Sequence, residues 1–273
     1  MKYVWQSRTL TTQKEKAMKT TTFFHPQQYY NPIFLWDKTR EASLANIVRY
    51  SNYTMLYPTN LVSHQHQVAA VTRHLIELFG FNELDIDIVK ALIEAFIHDD
   101  HEPFMKALDF QSADRAHLNA DQKKELEEDE WEAISKVIDA YPSRISGYAY
   151  DELLLDAAYH VDTIESQLVK LADKIAGLGE ALHEIYAGND AVEKGTISKR
   201  FGKLSVSPIE YYRNYFVGME TRLPLLDRER RLSEYWFTQT YSEDALPIDF
   251  YGLWKIALQR YAPDWEIQRL DLQ

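Results

Sequence analysis

The chain has 273 residues, 45% hydrophobic and 13% aromatic, enough apolar surface for a sizeable core and too much for global disorder. Nine Gly and nine Pro give little punctuation for a many-stranded β architecture, and the absence of Cys excludes a disulfide scaffold, a thiolate zinc site and a cysteine nucleophile. With 42 acidic against 30 basic residues the net charge is −12, which repels nucleic-acid polymers and also small phosphates, unless a bound cation reverses the local sign.

No segment approaches the ~20 consecutive apolar residues of a membrane span, and the N-terminal stretch has no signal-peptide apolar core. A soluble, mainly helical, cytoplasmic protein without membrane partners is therefore expected. Residues 1–41 are rich in Thr, Gln and aromatics and read as an irregular arm. The helical period begins near Glu41. Leu61, Val62, Val68, Ala69, Val71, Thr72, Leu75, Ile76 and Phe79 follow helical spacing up to Gly80, a C-terminal cap. Ile86–Ile97 is apolar around most of its circumference, as a buried helix would be, and Pro103 closes it.

Asn119 and Asp121 can cap a helix whose first turns carry the acidic run Glu125–Glu130, which reads as a solvated face favoured by the helix dipole. One long helix is expected from Asp151 to Tyr186, stopping at Gly188-Asn189, and another over Pro208–Leu223. The aromatic tail with Tyr235, Trp236, Phe237, Tyr241, Phe250, Tyr251 and Trp254 reads as packing over the core or at a dimer interface. The whole is an all-α protein: an arm (1–41), a helical core (42–226) and a C-terminal helical extension (227–273).

Metal-capable groups sit inside strongly apolar helices at three places. His64 lies in the first turn of its helix. His98 and Asp99 end the buried one, in FIHDDHEPF, and Asp173 sits mid-helix in QLVKLADKIAGL. A lone helix-terminal His is most often a cap, and a lone Asp in an amphipathic helix is usually salt-bridged, here by Lys170 or Lys174. An ionised carboxylate in such surroundings costs several kcal/mol unless it is paired or bound to a cation. Two imidazoles and two carboxylates together suit a first-row divalent ion with sites left open for water.

The order H…HD…D resembles the HD-domain metal-dependent phosphohydrolases. More closely, the chain is similar to the bacterial 5′-deoxynucleotidases typified by YfbR. Arg49-Tyr50 stands for that family's Arg-aromatic pair, and His64 follows fifteen residues after Arg49, with Gln67, Val68 and Ala69. His98-Asp99 comes thirty-four residues later, with Glu102 in the x-x-E position; Lys170-Leu171-Ala172-Asp173 follows, in the helix that ends at Gly188-Asn189. The resemblance covers residues 42–226 and implies an HD-domain helical bundle.

It further implies removal of the 5′-phosphate of a (deoxy)nucleoside monophosphate by in-line attack of a metal-bound water. One divalent ion (Mn, Co, Zn, Mg, Fe or Ni) would be held by His64, His98, Asp99 and Asp173. Glu102 would handle the proton as a catalytic residue, and Arg49 would grip the phosphate, helped in substrate binding by Tyr50, Lys170 and Asp109. A homodimer is expected on the same basis. Two departures bear on selectivity: the family's Trp is Tyr50 here, and its G-D-L-P segment is replaced by PFMKALDF, leaving Asp109 as the stand-in for a sugar-contacting Asp.

Other groups compete for attention. His66 points about 200° from His64 on a helix, so only one faces the cluster. His101 invites a two-metal reading but reads better as solvent-facing or phosphate-near, and Asp100 as supporting or exposed. His117, His160 and His183 lack partner motifs. Rival activities on the same fold are a dNTP triphosphohydrolase and a (p)ppGpp or cyclic-nucleotide hydrolase; these need more basic residues than Arg49, Lys106, Lys170 and Lys174. A non-catalytic nucleotide-binding protein is the rival of another class.

Overall fold

The computed structural model describes residues 38–106, 118–141, 143–195, 207–216 and 218–230. Its regular structure is helical apart from one two-stranded hairpin, and among the described residues no helix is long and apolar enough to cross a membrane. In chain order the helices are α1 (Lys38–Ala45), α2 (Leu61–Leu78), α3 (Ile88–Ile97), α4 (Ala120–Ala140), α5 (Tyr150–Leu155) and α6 (Ile164–Tyr186). Then come α7 (Asp190–Lys194), α8 (Pro208–Phe216), α9 (Met219–Arg222) and α10 (Pro224–Arg230). The hairpin pairs β1 (Arg144–Ile145) with β2 (Tyr148–Ala149) through Ser146-Gly147, both at positive φ.

The core is the mutual packing of α2, α3 and α6. To it α2 contributes Leu61, Val68, Val71 and Leu75, α3 contributes Leu92, Ala95 and Phe96, and α6 contributes Leu168, Leu171, Ala172 and Ile175, all buried. Ala91 through Ile97 are buried on every side of α3, as its all-round apolar sequence requires. Asp87 starts α3 by accepting from the Lys90 N–H, two residues later than the apolar run suggests. The helix ends at Ile97, so His98–His101 form a turn and Pro103 falls within a following 3₁₀ turn, Glu102–Phe104. α4 begins as expected, with Asn119 and Gln122 forming a capping box.

Several expectations are corrected. The helix expected over Asp151–Tyr186 is two helices. After α5 the chain makes a wide turn, Asp156–His160, and Val161 enters the left-handed region at φ 53°. Its N–H reaches back to the Asp156 carbonyl, and a capping box of Thr163 and Ser166 starts α6 afresh. No Gly or Pro marks the break, so hydrophobic periodicity runs through it unaltered. The helix expected over Pro208–Leu223 is likewise α8 and α9, separated by Gly218 at φ 77°. The helical start lies at Lys38, so residues 38–41 belong to α1 and Arg40 is buried. The hairpin and α7 were not anticipated; the earlier arm and the tail lie outside the described residues.

Lys90 fastens the break. Its ammonium donates to Glu94 Oε1, to Asp156 Oδ2 at 2.9 Å and to Thr163 Oγ1 at 3.2 Å, joining α3 to both sides of the interruption. Glu94 is fully buried, and burial pushes its carboxyl up to about 8 despite the lysine. Lys90→Met should therefore lower stability by about 3 kcal/mol in chemical denaturation, and Lys90→Met combined with Glu94→Leu should recover most of the loss.

Candidate metal centre

His64 stands one turn into α2 because Asn60 caps that helix, its side chain accepting from the Ser63 N–H at 3.0 Å. The ring is completely buried. His98 and Asp99 emerge where α3 stops, and Asp173 projects from the first half of α6. The structure brings all four together. One ligand atom each from His64, His98 and Asp99 lies within 4.8 Å of the others. His64 Nε2 is 3.2 Å from Asp173 Oδ1 and 3.7 Å from Asp99 Oδ2, and His98 Nε2 is 3.2 Å from Asp99 Oδ2.

The hydrogen-bond chemistry fits a cation. His98 Nδ1 lies 2.8 Å from the Ala95 carbonyl oxygen, a partner to which it can only donate. In the neutral ring Nε2 then carries a lone pair, and it faces the Asp99 carboxylate with no hydrogen bond to it. Two electron pairs held this close need a positive centre between them, a proton or a metal. Two imidazoles with two carboxylates are a donor set for a divalent first-row ion.

Burial works against every charge here, and neighbours overcome it. Asp99 lies well below the usual carboxylate range because His98 and His64 outweigh its desolvation. Asp173 is held down in the same way by Lys174 and His64. The Lys174 ammonium is 2.7 Å from Asp173 Oδ2, itself buried, with the rings of Tyr211 and Tyr215 at 6.0 and 5.4 Å. For His64, desolvation and Arg49 lower the pKa, but Asp173 and Glu180 raise it above the ordinary histidine value. Lys170 is half-buried one turn before Asp173 and adds to the field that depresses it.

A second network braces the ligands from behind. The Asp100 carboxylate takes both Arg40 Nη2 and Nε (2.6 and 2.8 Å), Gln65 Nε2 (3.0 Å) and the Tyr150 hydroxyl (2.9 Å). Arg40 also donates to the Phe96 carbonyl at 2.7 Å. Gln65 follows His64 and Asp100 follows Asp99, so one buried arginine ties together the neighbours of two candidate ligands. Asp100 is thus a buried brace rather than an exposed carboxylate.

The loop 46–60 carries Arg49 and Tyr50. Arg49 Nε donates to Glu180 Oε2 at 3.0 Å, and its guanidinium lies 5.3 Å from the Tyr50 ring centre. Tyr50 is buried at φ 53°. Its hydroxyl donates to the Gly177 carbonyl at 3.2 Å and lies 2.8 Å from the Tyr212 hydroxyl, so it is engaged in packing between the loop, α6 and α8. A Cβ at Gly177 would sit 2.1 Å from the Tyr212 oxygen, so only glycine admits this contact. Glu102 opens the 3₁₀ turn, half-buried, its N–H bonded to the Asp99 carbonyl at 3.0 Å. Asp109 and His117 lie outside the described residues.

His66 turns away from the cluster and packs edge-on against Phe96. His101 is buried, not solvent-facing, because the 3₁₀ turn folds it inward. His183 stacks on Tyr57 at 4.7 Å, His160 is exposed, and the charged side chains of Glu125, Glu127 and Glu128 are exposed around the buried Leu126. Sequence reasoning missed Glu180, Glu184 and Tyr212. The signal for the two glutamates was present in GLGEALHEI: an ionisable group framed by small and apolar residues, the same cue that singled out Asp173.

Compared with known proteins, the chain matches the YfbR-like 5′-deoxynucleotidase family over residues 41–219. Among solved structures it is similar to a conserved hypothetical protein from Pyrococcus furiosus, 27% identical over 55% of this chain and 81% of that one, with a TM-score of 0.43. No curated protein matches.

Adding Mn²⁺ at about 100 times its dissociation constant should stabilise the metal-free protein by about 2.7 kcal/mol, read as a shift in the unfolding midpoint. His98→Ala should abolish the shift. A metal needs the neutral imidazole of His64, whose proton is held more tightly than usual. Apparent affinity should therefore fall by up to about tenfold per pH unit below that raised pKa, with proton release on binding measurable by calorimetry in buffers of different ionisation enthalpy.

Proposed function

The chain belongs to the YfbR-like 5′-deoxynucleotidase family, and we propose that it is a metal-dependent phosphohydrolase removing the 5′-phosphate of nucleoside monophosphates. The observation that supports this most is the meeting, beside the α2–α3–α6 core, of the His/Asp cluster with a partly buried arginine. Glu180 stands between them, 3.0 Å from Arg49 Nε and 3.7 Å from His64 Nδ1. An arginine fork beside a divalent-cation site is the pairing a phosphoryl group needs.

His64, His98, Asp99 and Asp173 would hold the ion. When bound, it supplies charge neutralisation at the phosphoryl oxygens and lowers the pKa of coordinated water. Arg49 does the gripping. Its bond to Glu180 uses Nε, so the terminal nitrogens of the fork are the ones that meet phosphate oxygens. Glu102, four residues after His98 in the same connection, takes the proton from the attacking water. In-line displacement at phosphorus then releases orthophosphate and the nucleoside, with no covalent intermediate.

The charge balance supports a single phosphate group. Lys174 is committed to Asp173, and Arg49 Nε to Glu180. What is left near the cluster suits one dianion, not the three linked phosphates of a triphosphate. The substrate is accordingly a small nucleotide, in keeping with a chain too acidic for nucleic-acid polymers; cytoplasmic residence and a homodimer belong to the same proposal.

The test is a phosphate-release screen of deoxy- and ribonucleoside mono- and triphosphates with Mn²⁺, Co²⁺, Mg²⁺ and Zn²⁺. Orthophosphate from 5′-monophosphates is expected; pyrophosphate or triphosphate as the released product would overturn the reading, as would full activity in folded Asp99→Ala. Arg49→Ala should lower kcat/KM by about 10²-fold, the usual loss when a donor to developing phosphoryl charge is removed.

A further inference from the structure

Glu180 lies three residues, just under one turn, beyond Gly177, facing the site from α6, and only 5% of it is exposed. Its two oxygens do different work. Oε2 accepts from Arg49 Nε at 3.0 Å. Oε1 accepts from the Thr59 hydroxyl at 3.2 Å and faces His64 Nδ1 at 3.7 Å. That nitrogen has no hydrogen-bond partner of its own among the described residues. One buried carboxylate thus touches the candidate phosphate-binding arginine on one side and a candidate metal ligand on the other.

We infer that Glu180 is a positioning residue which sets both the tautomer of His64 and the orientation of Arg49, and so couples metal affinity to phosphate affinity. The inference rests on the reading of Arg49 and of the His/Asp cluster given above. A carboxylate facing Nδ1 favours the ring form with hydrogen on that nitrogen. The Nε2 lone pair then points towards Asp99 and Asp173, where a cation would sit. A carboxylate oriented on the outer nitrogen of a ligating histidine also makes the ring a more basic donor.

On the other oxygen, the Glu180–Nε bond removes the freedom of a long side chain whose rotamer entropy would otherwise be lost on binding. Glu184, one turn further along α6, supports this arrangement. Its carboxylate accepts from the Leu56 and Tyr57 N–H groups at 2.9 and 2.7 Å, fixing the loop that carries Arg49 and Thr59 to the same helix face. The alternative is a plain buried ion pair that holds the loop down. It predicts a loss of stability from any change at Glu180, but no specific effect on metal binding.

The experiment titrates purified full-length protein with Mn²⁺, then the Mn²⁺-loaded protein with orthophosphate, by calorimetry, so neither reading depends on turnover. Glu180→Gln keeps the size and an acceptor for Thr59 but loses the charge. It should weaken Mn²⁺ binding by about 10- to 100-fold and orthophosphate binding by at least severalfold. Arg49→Ala should weaken orthophosphate binding and leave Mn²⁺ binding no weaker. A folded Glu180→Gln whose Mn²⁺ affinity stays within twofold of the parent overturns the inference. If Glu180→Gln does not fold, Glu180→Asp decides by the same titrations: Mn²⁺ binding weakened threefold or more supports the inference, and unchanged binding overturns it. Weakened Mn²⁺ binding in Glu180→Gln, with orthophosphate binding indifferent to Arg49→Ala, would support the His64 half of the inference and overturn the coupling to phosphate through Arg49.

Discussion

The structure depends on keeping negative charge inside an apolar three-helix junction. Asp99, Asp173 and Glu180 are each largely withdrawn from water, and an isolated carboxylate there would take up a proton rather than stay ionised. Each instead faces a nitrogen-bearing partner: Asp99 the rings of His98 and His64, Asp173 the Lys174 ammonium, Glu180 the Arg49 guanidinium. Three acids and their partners leave His64 as the shared element. Its ring faces Asp173 and Asp99 through one nitrogen and Glu180 through the other. An imidazole so surrounded suits either a bound proton or, on the reading proposed above, a divalent ion.

The geometry follows from a single helix face. Asp173, Gly177, Glu180 and Glu184 recur on α6 at steps of four, three and four, within about 60° of one another around the axis. Along that line α6 presents the Asp173 carboxylate to the cluster and a gap for Tyr50 and Tyr212. It then presents an anchor for Arg49 and an acceptor for the loop amides. The opposite face of α6 is a conventional apolar surface of Leu168, Leu171, Ile175 and Leu178. One element therefore serves as both core wall and site floor, so errors in its register would be felt at both.

The interruption between α5 and α6 has a role in this. Val161 in the left-handed region is a costly conformation for a β-branched residue, and it persists because Thr163, Ser166, Gln167 and Lys90 bond across the break. The break lets α6 start in a new direction, and α5 then delivers the Tyr150 hydroxyl to Asp100 behind the cluster. The Arg40–Asp100 brace closes the same region from α1. Restraints of this kind fix the positions of the His98–Asp99 turn and of His64 more tightly than a free loop would.

Much was legible from the chain alone because it is local. The apolar stripes of α2 and α3, the Asn119 cap and the stop at Gly188 follow from period and capping chemistry. Polar residues lodged in apolar helices marked His64, His98, Asp99 and Asp173 before any geometry was known. The break at Val161 was not legible: no helix breaker stands there, and what sustains it is Lys90, more than seventy residues earlier. The partners of Arg49, Tyr50 and Asp100 were also hidden, because Glu180, Tyr212 and Arg40 lie 131, 162 and 60 residues away along the chain. By itself, then, the sequence determined which residues could bear the chemistry, since residue type and helical period are properties of neighbours. Only the tertiary structure decided which of those charges meet, because pairing across a core is set by how helices pack and not by spacing along the chain.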